Sequence, residues 1–133
     1  MTNSRIKELA PDVGLLVLRL FFGISMALAH GLPKLQRFSE LQTSFPDPLG
    51  MGSLLSLSLA IFAELACALA VALGFLFRLS LLPLIITMVV AAFIVHGHDP
   101  FNKQELALAY LTVYVALIFA GPGRFSVDSL RQR

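Results

Sequence analysis

The stretch LLSLSLAIFAELACALAVALGFLF, residues 54–77, contains one charged residue, Glu64, in an otherwise uncharged run. A helix needs roughly 20 predominantly apolar residues to cross the hydrocarbon core of a bilayer. Three further apolar runs lie at residues 13–29, 79–95 and 106–120. We expect the last of these to gain length from residues 102–105. The sequence therefore predicts an all-α polytopic membrane protein, built as a bundle of four transmembrane helices.

The composition also favours lipid as the solvent of this chain. Its 133 residues are 57% hydrophobic and 14% charged, whereas a soluble domain is about 45–50% apolar and about 25% charged. The net charge of +2 is too small to indicate nucleic-acid binding. A single cysteine, Cys67, excludes an internal disulfide and a cysteine-only metal cage. We expect residues 1–133 to form one transmembrane domain, with its first apolar run retained as a helix.

Lysine and arginine in the flanks of the spans predict the orientation, because they are enriched on the cytoplasmic side. With four spans, both termini lie on one side of the membrane. Six basic residues belong to that side: Arg5, Lys7, Arg78, Arg124, Arg131 and Arg133. Three belong to the other side: Lys34, Arg37 and Lys103. The sequence thus predicts cytoplasmic termini.

Two ionisable side chains, Arg19 and Glu64, fall at membrane depth, where a charge costs roughly 3 kcal/mol on insertion scales. Small residues flank Glu64 at spacings of four and permit close approach of a neighbouring helix. They are Ser56, Ala60, Ala68 and Ala72. We expect Glu64 to point into the bundle and to form an ion pair with Arg19. Such a pair either fixes the helix register or serves function, and it need not add stability.

A second polar cluster is predicted at the outer membrane face. His30 ends the first span, because Pro33 disfavours helix at the residue before it and predicts a break at residues 31–32. His96 ends the third span and Glu105 opens the fourth. A histidine at a helix end is often only interfacial, and a glutamate in a first turn favours the helix dipole. Because three spans converge there, we interpret the cluster as a candidate site, which consists of His30, Lys34, His96 and Glu105.

The connections carry their own predictions. Residues 30–53 form the one long loop, whose Phe45 and Leu49 we expect to rest on the membrane surface. The second and third spans are joined tightly through Arg78, which predicts an antiparallel hairpin.

The C-terminal segment is predicted to be structural. Its sequence GPG at residues 121–123 should stop the fourth helix. Ser126 and Asp128 can cap a short helix over residues 127–131. Arg124 can bind the free carbonyls of the fourth helix or a lipid phosphate.

Four motifs in this chain resemble those of the DoxX family of bacterial membrane proteins. The motifs are Leu18-Arg19-Leu20 with Gly23, Ala29-His30-Gly31 and Lys34-Leu35; Ala63-Glu64-Leu65 with Leu73-Gly74 and Arg78; His96 with Phe101 and Glu105-Leu106-Ala107-Leu108; and Gly121-Pro122-Gly123-Arg124-Phe125-Ser126-Val127-Asp128. The resemblance covers nearly the full length, and the closing motif is the most specific. The stretch after Glu64, often glycine-rich in the family, is Ala66-Cys67-Ala68 here.

The resemblance implies a four-helix bundle in the bacterial inner membrane. Some members of the family are subunits of thiosulfate:quinone oxidoreductase, and others are associated with redox-stress proteins. Motif matches carry two sets of candidate residues over to this chain. The catalytic candidates are Glu64, His30, His96 and Glu105. The cofactor-binding candidates are Arg19, His30, Lys34 and His96.

A quinone is the cofactor that these residue types would suit. Histidine can both donate to a quinone oxygen and exchange protons near neutral pH, and a buried carboxylate can relay protons. We expect His30 and His96 to serve the ring with Glu105 as proton partner. The apolar wall would consist of Phe22, Phe93 and Met26.

Several alternatives remain open at this stage. A haem held by His30 and His96, or a metal bound by His96, His98 and Glu105, would be variants of the redox hypothesis. The chain has no flavin fingerprint, CxxC or haem-attachment motif, so electrons would come from a partner protein or a bound cofactor. A non-enzymatic scaffold and a small solute or lipid carrier are the competing functions. Small residues on the fourth span allow packing within the chain or in a homo-oligomer.

Overall fold

Four long helices form the computed structural model, which describes residues 3–133. The first span covers Asn3–Gln36, the second Ser53–Leu73, the third Phe77–Val95 and the fourth Phe101–Ala120. Two short helices, Phe38–Leu41 and Val127–Arg131, complete the fold. Each of the four spans is long and apolar enough to cross a membrane. The predicted all-α architecture with four apolar spans is therefore confirmed.

The first span is longer at both ends than its apolar run, and the predicted break at residues 31–32 is wrong. A π-helical turn at Ala27–Gly31 lets the Leu32 N–H bond to the Ala27 carbonyl, five residues back. The helix then continues through Pro33 to Gln36. The wider turn changes the hydrogen-bond pattern just before the proline, so the missing N–H of Pro33 does not end the helix.

The second and third spans form the predicted hairpin, but its turn is not at Arg78. The second span stops at Leu73, and Gly74 and Leu76 take positive φ values of 70° and 43°. Arg78 lies in the first turn of the third span, where its Nε donates to the Ile118 carbonyl at 2.9 Å. Arg78 therefore has the carbonyl-binding role that was predicted for Arg124.

The C-terminal segment locks this hairpin. The Asp128 carboxylate accepts hydrogen bonds from the N–H groups of Leu76 and Phe77 at 3.0 and 2.9 Å. The N–H of Asp128 donates to the Gly74 carbonyl at 2.9 Å. Asp128 thus caps the third span rather than the terminal helix. Ser126 does cap the terminal helix, because its Oγ accepts from the Ser129 N–H at 3.2 Å.

Small residues bring the antiparallel first and second spans into close contact, as the spacing around Glu64 predicted. A Cβ atom added to Gly23 would lie 2.8 Å from the Ala68 carbonyl oxygen. One added to Gly31 would lie 2.7 Å from the carbonyl carbon and oxygen of Glu64. Glu64 itself is buried, with 6% of its surface exposed. This contact sets the register of the two helices.

That register separates Arg19 from Glu64, so the predicted ion pair between them is wrong. Arg19 lies beside Gly74, which directly follows the second span and is ten residues after Glu64, or about 15 Å away at 1.5 Å per residue. The Arg19 guanidinium, 1% exposed, donates to the carbonyls of Pro122 and Phe125 at 2.6 and 2.7 Å. Arg19 therefore holds the C-terminal segment against the bundle, and we call this pair of hydrogen bonds the latch.

A second contact at the same end involves the N-terminal part of the first span. The Arg124 N–H donates to Asp12 Oδ1 at 2.9 Å. The start of the first span and the C-terminal segment thus lie at one end of the bundle. The core between the spans includes Met26, Leu84 and Tyr114, and the Tyr114 hydroxyl donates to the Phe22 carbonyl at 3.0 Å.

The contact at Gly31 yields a stability prediction. Gly31→Ala should lower the free energy of unfolding by about 1–3 kcal/mol, because the added methyl meets backbone rather than a flexible side chain. The matched control is Gly14→Ala in the same helix, where nothing lies within 4 Å of the added Cβ. The control should be neutral or stabilising by about 0.5–1 kcal/mol. Thermal unfolding in detergent measures both, and equal effects would contradict the close approach.

The hydrogen bonds between Arg19 and the C-terminal segment yield a second prediction. Arg19→Lys should release part of the C-terminal segment, because one ammonium group cannot serve two carbonyls in the planar fork geometry of arginine. Losing one charged hydrogen bond costs about 1.5–3 kcal/mol. Trypsin should then cleave faster after the exposed Arg124 than in the native protein. Arg5→Lys, at an exposed position of the same helix, is the control. Unchanged cleavage in Arg19→Lys would show that the latch does not hold the segment.

Candidate functional site

Three of the four spans contain a π-helical turn, and these turns position the candidate residues. The turns are Ala27–Gly31, Phe62–Cys67 and Ala91–Val95. Each is closed by an N–H that bonds five residues back, as the His96 N–H does to the Ala91 carbonyl at 2.9 Å. His30 and Glu64 lie within two of these turns, and His96 directly follows the third. Such turns occur frequently at functional sites.

The buried carboxylate of Glu64 pairs with Lys34. Lys34 Nζ lies 2.7 Å from Glu64 Oε2, and the two side chains are 23% and 8% exposed. Lys34 Nζ also donates to the His30 carbonyl at 3.4 Å. Glu64 Oε2 is fully buried, and within residues 3–133 it accepts no hydrogen bond of good geometry despite the ion contact. The charges of the two side chains therefore balance each other inside the bundle.

The larger of two cavities ends at this pair. Its volume is about 390 Å³, within the range of about 300–1,000 Å³ typical of ligand sites. Lys34 and Glu64 supply its charged groups. Two hydroxyl residues, Ser56 and Thr87, are the other polar lining residues, and both hydroxyls are already hydrogen-bonded within the protein. The rest of the wall is apolar.

A smaller cavity of about 200 Å³ lies on the other side of the pair. It shares only Lys34, Glu64 and Ala91 with the larger cavity. Its remaining lining residues are Met26, His30, Met88, His96, Lys103, Leu106, Ala107 and Tyr110. The Lys34–Glu64 pair therefore stands between an apolar cavity and a polar one that contains both histidines.

His96 is oriented by the loop that follows it. Its Nδ1 lies 2.7 Å from Asp99 Oδ2, and Gln104 Nε2 donates to the His96 carbonyl at 2.7 Å. The contact with His96 lowers the pKa of the Asp99 carboxyl below its usual value. The His96 side chain also lines the smaller cavity, so Asp99 orients a residue of that cavity. Such carboxylate–histidine contacts fix the tautomer of the imidazole.

Four of the six predicted residues thus come together: His30, Lys34, Glu64 and His96. The other two do not. Arg19 is at the opposite end of the bundle. Glu105 is exposed and lines neither cavity.

The predicted apolar wall is only partly reproduced, and the alternative metal site of His96, His98 and Glu105 is not formed by the described residues. Met26 lines the polar cavity, but Phe93 is 60% exposed on the outer surface. Phe22 packs edge-on against Tyr110, with ring centroids 5.4 Å apart. Among residues 3–133, no group of three histidine, cysteine or acidic side chains is placed to hold a metal ion.

Sequence reasoning missed Tyr110 and Lys103. Tyr110 contacts His30 edge-on, with centroids 5.7 Å apart. The only signal was the presence of a polar aromatic residue one and a half turns after Glu105 in an apolar helix. Lys103 follows His96 closely in sequence, and only the loop geometry turns it towards the cavity.

The long loop covers the larger cavity. Phe45 and Leu49, which we expected on the membrane surface, line the cavity, and Leu49 is also 52% exposed. Asp47 holds this part of the loop by accepting from the N–H groups of Met51 and Gly52 at 2.9 and 2.8 Å. It also accepts from the Ser56 hydroxyl at 3.0 Å. The Gly52 hydrogen bond is the main reason that the pKa of Asp47 is lowered.

Four apolar helical spans with a polar site near one end define a multi-pass membrane protein. The sequence model of the DoxX family matches residues 14–97, which include His30, Lys34, Glu64 and His96. The chain therefore belongs to the DoxX family. The motifs at Glu105 and at residues 121–128 lie outside the matched range.

A relative matches almost the whole chain. It is an uncharacterized protein of Haemophilus influenzae, 29% identical over 138 residues, and the match covers 98% of this chain and 91% of that protein. No solved structure matches the chain significantly.

The stability of the loop at residues 45–52, which lies over the larger cavity, should depend on pH through Asp47. Because its pKa is lowered in the folded protein, the ionised form stabilises the loop above the usual carboxyl pKa of about 3.9. This stabilisation is lost as the pH falls through the lower, folded value. Hydrogen exchange at residues 51–52, corrected for intrinsic rates, should show protection that fades below about pH 4.

Two variants control this experiment. In Asp47→Asn the protection should be weaker at neutral pH and should change little with acidification. Asp99→Asn removes a carboxylate from the other loop and should leave the pH dependence at residues 51–52 intact. If exchange at residues 51–52 in Asp47→Asn depends on pH as in the native protein, a group other than Asp47 stabilises this loop.

Proposed function

We propose that the protein is a quinone-linked redox component of the bacterial inner membrane, with cytoplasmic termini and the Lys34–Glu64 pair near the outer face. One observation carries the proposal: the ion pair stands between an apolar cavity and a polar cavity that contains two imidazoles. A quinone, when bound, supplies redox chemistry that takes up and returns two electrons and two protons.

The residues fit a quinone ring at the inner end of the larger cavity. The ammonium of Lys34 is a donor for a ring carbonyl oxygen. The carboxylate of Glu64, which lines the same cavity, is an acceptor for the hydroxyl of the reduced ring. Apolar walls exclude water from the ring, which strengthens both electrostatic interactions. In this proposal Glu64 replaces Glu105 as the proton partner.

The polar cavity supplies protons to that site. His96 lies at the end of the third span with its ring held by Asp99, and His30 lies deeper, beside Tyr110. Imidazoles exchange protons near neutral pH. Protons from the outer aqueous face therefore reach Glu64 through the side chains of this cavity, without crossing the apolar one.

Electrons come from a partner protein in this proposal. The sequence contains no flavin fingerprint, CxxC or haem-attachment motif. Lys34 and Glu64 hold the ring, and the two histidines move protons, so the chain supplies the membrane-bound quinone site. The partner supplies the reductant.

The test begins with protein purified in mild detergent. Mass spectrometry of the organic extract should find a quinone in near-stoichiometric amount. Glu64→Gln should reduce the bound quinone by about tenfold or more, because it removes the charged partner of a buried hydrogen-bonding group. Glu105→Gln makes the same chemical change at an exposed position and should leave the quinone in place.

A double variant separates loss of the site from loss of folding. Glu64→Gln alone leaves the Lys34 charge unpaired in the bundle, which is itself destabilising. Lys34→Gln combined with Glu64→Gln removes both charges and should remain folded, yet bind no quinone.

Other outcomes would contradict the proposal. A native preparation without quinone, whose Glu64→Gln variant loses only thermal stability and keeps its partner protein, would indicate a scaffold. A Soret band in the absorption spectrum would assign the redox group as haem.

A further inference from the structure

Exposed apolar residues of the second and third spans line the larger cavity. Three of its lining residues on these spans are Leu59, Ile86 and Val95, which are 48%, 61% and 45% exposed. Their exposed side chains are apolar and belong to helices that are long enough to cross a membrane. An opening bounded in this way faces the hydrocarbon of the bilayer rather than water.

The loop closes the same cavity towards the aqueous phase. Its lining residues from this loop are Phe45, Pro46, Pro48, Leu49 and Met51. Asp47 fixes them with three hydrogen bonds to Met51, Gly52 and Ser56. A ligand that enters from the bilayer reaches the ion pair between the two spans, without displacing this loop.

We infer that this opening admits the quinone from the bilayer and holds the first part of its isoprenoid tail between the second and third spans. The inference rests on the proposed function and adds the tail to what the site recognises. The charged end of the cavity at Lys34 and Glu64 receives the ring, and the apolar end leads to lipid. An amphiphile with one polar ring and one hydrocarbon chain matches this polarity from end to end.

We call the apolar part of the larger cavity between the second and third spans the slot. Two residues that line it determine its width. Ala60 lies one turn before Glu64 on the second span, and Thr87 lies one turn before Ala91 on the third. Both are half-buried and small enough to leave space in the cavity. Tail binding exchanges contact with lipid for contact with protein, so packing in this slot, rather than removal from water, determines its strength.

The test compares two ligands that share a ring. One is a benzoquinone with a decyl tail, and the other is the same ring without a tail. Protein in nanodiscs carries Ala60→Phe or, separately, Thr87→Phe to fill the slot. Each variant should weaken binding of the decyl quinone by about tenfold or more. The tail-less ring should lose much less affinity.

The control variant is Ala116→Phe, an identical substitution on an exposed face of the fourth span, and it should change neither affinity. If the native protein binds neither ligand, the proposed function fails. A different outcome is that the native protein binds both quinones while the slot-filling variants weaken the two affinities equally or not at all. In that case the ring site stands and the tail inference is overturned.

A photoreactive group at the tip of the tail locates the chain directly. Specific labelling is the part that disappears when excess decyl quinone without the photoreactive group is added. It should fall on Ser53–Leu73 and Phe77–Val95. Labelling of exposed residues on the fourth span, such as Val115 or Phe119, would overturn the inference. A photoreactive fatty acid that labels the slot and resists displacement by quinone would assign the slot to a bilayer lipid instead.

Discussion

A carboxylate buried among membrane-spanning helices has to be neutralised, and the arrangement of this protein near its loop end follows from that constraint. Glu64 is paired with Lys34 at 2.7 Å. To make that contact, the first helix has to continue past Pro33, so that a lysine beyond the apolar run can reach back into the bundle. The π-helical turn at Ala27–Gly31 allows this continuation. Gly31 then allows the first span to approach the backbone of Glu64.

The two ends of the bundle use their buried charges differently. At the end with the termini, the Arg19 guanidinium donates to two backbone carbonyls and the Asp128 carboxylate accepts from two backbone amides. Those groups have partners in the protein, and their role is to hold the C-terminal segment on the hairpin. At the other end, Lys34 and Glu64 line two cavities, whereas Arg19 lines neither of them. This contrast places the proposed chemistry at Glu64 and not at Arg19.

The sequence predicted the spans, the burial of Glu64 and the grouping of His30, Lys34 and His96, because hydropathy and small-residue spacing are local signals. It did not predict the partner of Glu64. The predicted ion pair joined Arg19 to Glu64 only because both charges fall within apolar runs. The π-turn that removes the predicted break at residues 31–32 leaves no clear sequence signal. The cavity under the loop was also missed, since it depends on how Asp47 folds residues 45–52 over two spans.

Infrared difference spectroscopy of the protein with bound quinone tests the central claim most directly, namely that the Glu64 carboxylate exchanges a proton with the ring. Electrochemical reduction of the quinone should produce a carboxyl band in the difference spectrum. That band should be missing in a Glu64→Gln variant reconstituted with the same quinone at saturating concentration, and should persist in Glu105→Gln. An unchanged carboxyl band in Glu64→Gln would contradict the account and leave Lys34–Glu64 as a structural ion pair.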